Sequence, residues 1–139
     1  MNKKSLAKLA LGTWVNTLCQ GNPVKMAKLY AGDGVLVGTF APGPVQGSRP
    51  ILAYFQNLMK KDEVCARITS MKVQRIPGGA ILSGNYTFMW KDELGRPEQA
   101  KARYTFVVDA NVGRVDGQPY IIHHHSSLVP NRSLDTLHA

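Results

Sequence analysis

The sequence predicts an α+β domain in which N-terminal helices pack on one face of a curved antiparallel sheet. Three observations lead there. Apolar residues recur at helical spacing through the first part of the chain, the period drops to two from Val64 onward, and short turn-forming clusters separate the later segments. Helices first and a strand meander afterwards make a helix layer over a sheet. At 139 residues, with 44% hydrophobic and 19% charged positions, the chain suits a single soluble domain spanning residues 1–139.

The elements follow in order. Leu6, Leu9 or Ala10, Trp14 and Leu18 recur at helical spacing, with Leu11 and Val15 widening the stripe, so residues 4–20 read as an amphipathic helix that Gly21 ends. Asn22 is an N-cap with Pro23 at the first helical position, opening a short helix expected to include Tyr30 before Gly32-Asp33-Gly34 stops it. Val35-Leu36-Val37 is a buried strand that delivers Thr39 to its end. Residues 40–47 suit a flap beside a pocket, and equally an ordinary surface connection. Ser48 and Pro50 open a third helix with Ile51, Tyr54 or Phe55, and Leu58 on its apolar side. On this pattern alone Tyr54 is a core aromatic with its hydroxyl at the boundary.

Three long strands are expected over residues 64–76, 80–90 and 99–108. Turns at Pro77-Gly78-Gly79 and Glu93-Leu94-Gly95 separate them, and residues 111–117 lead on to a last strand. In these strands Tyr86, Phe88, Tyr104 and Phe106 share one face, while Asn85, Arg103 and Thr105 share the other. Periodicity leaves both arrangements open. Either the aromatics face the helices, or the polar row lines a pocket beneath them and the aromatic row pairs with a second subunit.

The last strand, Ile121-Ile122-His123-His124-His125-Ser126-Ser127-Leu128-Val129-Pro130, concentrates three of the four histidines and two hydroxyls. In an extended chain Ile121, His123, His125 and Ser127 share a face, and Ile122, His124 and Ser126 share the other. An internal tag scar and solvent-facing histidines are the ordinary explanations. The triplet lies inside the chain, however, and lacks a tag's flanks.

The net charge of +8 is spread along the chain without a dense basic run or an aromatic-interleaved RNA motif, so nucleic-acid binding is not expected. A basic surface also concentrates small anions. Cys19 and Cys65 stand apart without a Cys-x-x-Cys pair, which reads as two reduced thiols in a cytoplasmic protein. No membrane span is expected. The acidic residues fall mainly in predicted turns, which weakens an isomerase or hydrolase built on a pocket carboxylate. His123 and His125 could share a metal, but no cysteine or carboxylate has a spacing that completes the set, so no metal or other cofactor is expected.

The string His123-His124-His125-Ser126-Ser127-Leu128-Val129-Pro130 resembles the His-His-His-Ser-Ser-x-x-Pro signature of iota-class carbonic anhydrases. These belong with proteins similar to the association domain of calcium/calmodulin-dependent kinase II. Trp14, Gly21-Asn22-Pro23, Leu29-Tyr30, Gly34-Val35-Leu36-Val37, Thr39, Tyr54-Phe55 and Arg103-Tyr104-Thr105-Phe106 occur in the family's order. The resemblance implies a cone-shaped fold like nuclear transport factor 2 (cystatin-like), a homodimer, and metal-free interconversion of CO2 and bicarbonate. It implies catalytic roles for Thr39, Tyr54 and a serine of the 126–127 pair. Ser127 is favoured because it shares the face of His123 and His125, unless a bulge at the strand end turns Ser126 in instead. Asn85, Arg103 and His125 are expected to bind substrate, with Arg103 supplying positive charge and His125 shuttling protons. The resemblance also favours the polar row on the concave side. Residues 40–47 are less polar than the family's usual loop, which bears on the pocket mouth. A non-enzymatic binding or self-association module of the same fold is the alternative.

Overall fold

The computed structural model describes residues 2–110 and 120–130. Helix α1 (Lys3–Cys19) starts where the Asn2 side chain accepts the Ser5 N–H at 2.8 Å. It buries Ala7, Leu11, Trp14 and Leu18, which recur at three- and four-residue steps along one side. Helix α2 (Pro23–Ala27) is capped by Asn22, whose side chain accepts the Lys25 N–H at 3.0 Å. It is shorter than expected. Tyr30 belongs instead to strand β1 (Tyr30–Val37), because that segment gains a parallel partner in the last strand, and the Ile121 N–H donates to the Leu29 carbonyl at 2.9 Å.

Within residues 40–47 lies a short strand, β2 (Pro44–Gln46), paired with β1. Helix α3 (Ser48–Leu58) follows and buries Ile51, Phe55 and Leu58. The three long strands lie close to their expected bounds: β3 (Asp62–Ile76), β4 (Gly79–Lys91) and β5 (Pro97–Asp109), with β6 (Tyr120–Leu128) last. The expected connection at residues 111–117 lies outside the described residues.

The sheet order is β2-β1-β6-β5-β4-β3. Strands β3 to β6 form the antiparallel meander, but β1 and β6 run parallel, so the sheet is mixed. No hairpin joins β1 to β6, and nothing local dictates their relative direction. Leu82, Tyr86 and Phe88 of β4 and Ala102, Tyr104, Phe106 and Val108 of β5 belong to the core beneath the helices. The aromatic row is therefore covered by this chain's own helices and unavailable to a second subunit. Asn85, Arg103 and Thr105 alternate with it on the outer side, which corrects the concave placement.

Two further features correct the sequence reading. Cys19 and Cys65 form a disulfide with a Cα–Cα distance of 4.3 Å, tying the end of α1 to β3. Their separation of 46 residues gave no hint of proximity, which arises because α1 lies across β3. A β-bulge also interrupts β6. Val107 opposes His123 and Val108 opposes Ile121, so Ile122 is an extra, unopposed residue.

Candidate active site

The bulge at Ile122 decides which hydroxyl turns inward. A strictly alternating strand would send Ile121, His123, His125 and Ser127 the same way. With one residue inserted, Ile121, His124 and Ser126 point into the molecule, 1%, 2% and 3% exposed. The preference for Ser127 is thus corrected to Ser126, through a bulge at the start of the strand rather than its end. Ser127 faces outward and accepts a hydrogen bond from Arg103 Nη2 at 3.1 Å. Asn85 lies on the same outer side, where its side chain accepts a bond from the Ser70 hydroxyl at 2.9 Å. His125 is exposed and opposes Thr105. Of the sequence-derived site residues, the structure brings together Thr39, Tyr54 and Ser126. Ser127, Arg103, Asn85 and His125 lie away from them.

The three line a small internal cavity with Trp14, Tyr86 and His124 among its walls. Its volume is about 10 Å³, room for about one water molecule. Thr39 sits in the turn after β1, and its hydroxyl bonds the Ser126 hydroxyl. Tyr54 projects from α3 and brings its hydroxyl toward the backbone N–H groups of Phe40 and Thr39, whose dipoles act on it. Burial raises the Tyr54 pKa, partly offset by those two donors, so at neutral pH it keeps its proton. Gly38 makes the approach possible. A Cβ there would stand 2.2 Å from Tyr54 Cε1 and 2.6 Å from its hydroxyl oxygen.

Behind Ser126 a chain of polar side chains runs through the core. Trp14 Nε1–H donates to the Tyr30 hydroxyl at 2.9 Å, and Tyr30 contacts His124 Nδ1 at 2.8 Å. His124 Nε2 contacts the Tyr86 hydroxyl at 3.1 Å, and Tyr86 donates to Ser126 Oγ at 2.5 Å. The imidazole stacks on Phe106 with ring centroids 3.9 Å apart. Sequence reasoning missed Tyr30, Tyr86 and His124 as site residues. The available signal was weak, two tyrosines and a histidine on apolar stretches, which ordinarily means packing.

Burial holds the His124 pKa well below its ordinary value of 6.5, and the neighbouring imidazoles of His123 and His125 push it the same way. The unfolded chain therefore binds a proton at this position before the folded one does. Stability is complete above about pH 6.5 and falls as pH drops toward the depressed folded value, by up to about 1.4 kcal/mol per pH unit. Urea unfolding at about pH 7.5, 6.5 and 5.5 should show this decline; an unchanged unfolding free energy would contradict it.

Tyr54 and Leu58 also form part of a larger outer cleft of about 910 Å³, so one wall separates the cavity from the surface. Phe40 packs edge-on against Phe88 and Trp90 there, and Lys61 Nζ lies 5.3 Å and 4.7 Å from the Phe40 and Trp90 ring centroids. Phe40 thus presents an aromatic ring to the outer cleft beside Tyr54, with the Lys61 ammonium close to it. Among the described residues, no three His, Cys, Asp or Glu converge as a metal-ligand group. No described helix is long and apolar enough to cross a membrane.

The profile of the calcium/calmodulin dependent protein kinase II association domain matches residues 2–130. A solved structure of a proposed domain of that kind from Xanthomonas campestris is 36% identical, with a TM-score of 0.82, covering 94% of this chain and 90% of that one. A Caulobacter vibrioides protein with a cystatin-like fold is 16% identical, with a TM-score of 0.75 and coverage of 96% and 94%. A proposed dehydratase of the NTF2-like family from Streptomyces avermitilis is 18% identical, with a TM-score of 0.78 and coverage of 93% and 98%. The architecture is therefore NTF2-like, helices on a curved mixed sheet. No functionally curated protein matches the chain significantly.

Proposed function

Since the chain belongs to the calcium/calmodulin dependent protein kinase II association domain family, we propose that it is an iota-class carbonic anhydrase that interconverts CO2 and bicarbonate without a metal. The observation that carries this reading is the convergence of Thr39, Tyr54 and Ser126 on one small cavity, together with the resemblance of residues 123–130 to the iota-class signature.

Hydration requires a water held against CO2 and donors for the charge that grows on the CO2 oxygens. Ser126 Oγ accepts from Tyr86 and retains a lone pair for that water. The Tyr54 and Thr39 hydroxyls donate to the oxygens as they become bicarbonate-like, in a site whose burial strengthens each bond. As the water oxygen bonds the CO2 carbon, a C=O π pair moves onto its oxygen as the C–O− of bicarbonate. The water's O–H proton passes to solvent water or buffer base on the cleft side, since His124 stays neutral and His125 lies on the far face. The cavity holds about one water, so CO2 enters as the Tyr54 ring swings toward the cleft. Lys91 and Arg96 in the cleft are paired with Glu63 and Asp92, so Lys60 and Lys61 are the lining cations that attract the anionic product, beside Asp62 and Glu93. Self-association belongs to the proposal too, through the polar outer face of the sheet.

Stopped-flow CO2 hydration on tag-free protein treated with chelator tests this reading. A rate above buffer and proportional to protein supports it. Activity that returns only on adding zinc or manganese would overturn the metal-free part, and silence in both conditions would leave a non-enzymatic module of the same fold.

Gly38→Ala provides a local check. The new methyl would displace the Tyr54 ring, which has the cleft to move into, so the fold survives at a cost of about 1–3 kcal/mol. Hydration should fall as far as in Tyr54→Phe. Full activity in a folded Gly38→Ala protein would mean that the Tyr54 position is immaterial.

A further inference from the structure

The hydrogen-bond chain behind Ser126 has a direction, and its far end sets it. An indole N–H donates and never accepts, so Trp14 occupies one lone pair of the Tyr30 oxygen. Tyr30 is buried, and the partner in reach of its own proton is His124 Nδ1. Were Nδ1 to carry a proton, Tyr30 would accept twice and its O–H would be left in the core without an acceptor. That would turn two donor hydrogens and the hydroxyl's own proton onto one oxygen between Trp14 and His124, and a buried O–H left without an acceptor loses its hydration with nothing in exchange. Nδ1 is therefore the acceptor, and the neutral imidazole carries its proton on Nε2, toward Tyr86.

The same arithmetic continues outward. Tyr86 accepts from His124 and donates to Ser126. Ser126 and Thr39 then hold two protons between them, and their mutual bond uses one. The other is surplus at the cavity wall. In a closed site it can fold back on Tyr86, which the Thr39 hydroxyl also approaches.

We infer that Trp14 is a positioning residue that orients this chain so that the Ser126–Thr39 pair presents an O–H donor to the cavity, selecting guests that offer an electron-rich oxygen. Identifying that guest as CO2 or bicarbonate rests on the function proposed above; the direction of the chain does not. Trp14 acts through Tyr30, His124 and Tyr86. The indole N–H keeps the Tyr30 proton off its side of the oxygen; without it the O–H can turn to the vacated side, Tyr30 can accept from Nδ1–H, the imidazole can switch tautomer, and every hydroxyl downstream loses its fixed sense.

Nitrogen-15 NMR of histidine-labelled full-length protein reads the tautomer directly, with His124 assigned by elimination using His123→Asn, His125→Asn and His138→Asn. The wild type should carry its His124 proton on Nε2. In Trp14→Phe, which keeps a ring in the core, a substantial Nδ1–H population should appear and CO2 hydration should fall at least about fivefold. Wild-type protein with the proton on Nδ1 overturns the inference whatever its activity. So does a folded Trp14→Phe that keeps both the Nε2–H tautomer and full activity. If that variant does not fold, the wild-type tautomer decides. Protein that shows the Nε2–H form and the Trp14-dependent switch but hydrates no CO2 supports the chain direction and removes the carbonic anhydrase reading alone.

Discussion

Replacing Ser126 with alanine should lower kcat/KM for CO2 hydration by about 10²- to 10³-fold, whereas Ser127→Ala should leave it within about twofold. Ser126 bonds the Thr39 hydroxyl and accepts from Tyr86, while Ser127 faces the other side of the sheet and meets Arg103. The alanine also leaves the Tyr86 O–H without that acceptor in a buried place. A stability loss of about 1–3 kcal/mol should accompany the kinetic one. Burial raises the Tyr86 pKa, so it cannot relieve the loss by ionising at neutral pH. Parallel stopped-flow and urea unfolding of the two variants separate the effects. A Ser127→Ala protein more impaired than Ser126→Ala would refute the assignment of the inward serine.

Removing the disulfide should produce the largest change in stability. Joining Cys19 to Cys65 closes a loop with a sequence separation of 46. Chain-entropy reasoning places its contribution at about 4 kcal/mol, the unfolded chain losing freedom that the folded one never had. The Cys19→Ser, Cys65→Ser double variant, or the wild type under a phosphine reductant, should melt about 10–15 °C lower. Identical melting curves with and without reductant would show that the bond does not form in the purified protein. The bond holds the end of α1, the helix that carries Trp14, so reduced protein should also lose ordered indole fluorescence earlier in the melt.

Much of the architecture was legible in the residues. The apolar steps of α1 and α3 give helices within a residue or two of those expected, as do the period-two runs of β3, β4 and β5, and the cap at Asn22 and Pro23 marks where α2 starts though not where it ends. In each case a local physical signal specifies a local structure. Thr39 and Tyr54 were legible in position, one after a short apolar strand and the other on a helix. Their pairing as a site came from the family resemblance, since helical aromatics usually mean packing. The inward serine was not legible. The bulge at Ile122 carries no glycine or proline to mark it, and a single inserted residue reverses every later side chain. The Tyr30–His124 and Tyr86–Ser126 bonds join residues 94 and 40 positions apart, and no periodicity reports such meetings.

What the sequence determined alone was therefore the set of elements, their approximate order in layers, and the family signature on the last strand, because these depend on neighbours within a turn or a strand. The tertiary structure decided the mixed sheet, the side on which the aromatics lie, the disulfide, the serine that enters the cavity, and the direction of the chain ending there. Those are outcomes of pairing between distant segments. One unopposed residue in β6 and one indole N–H from α1 exert their effect only after the sheet has brought them to the same core.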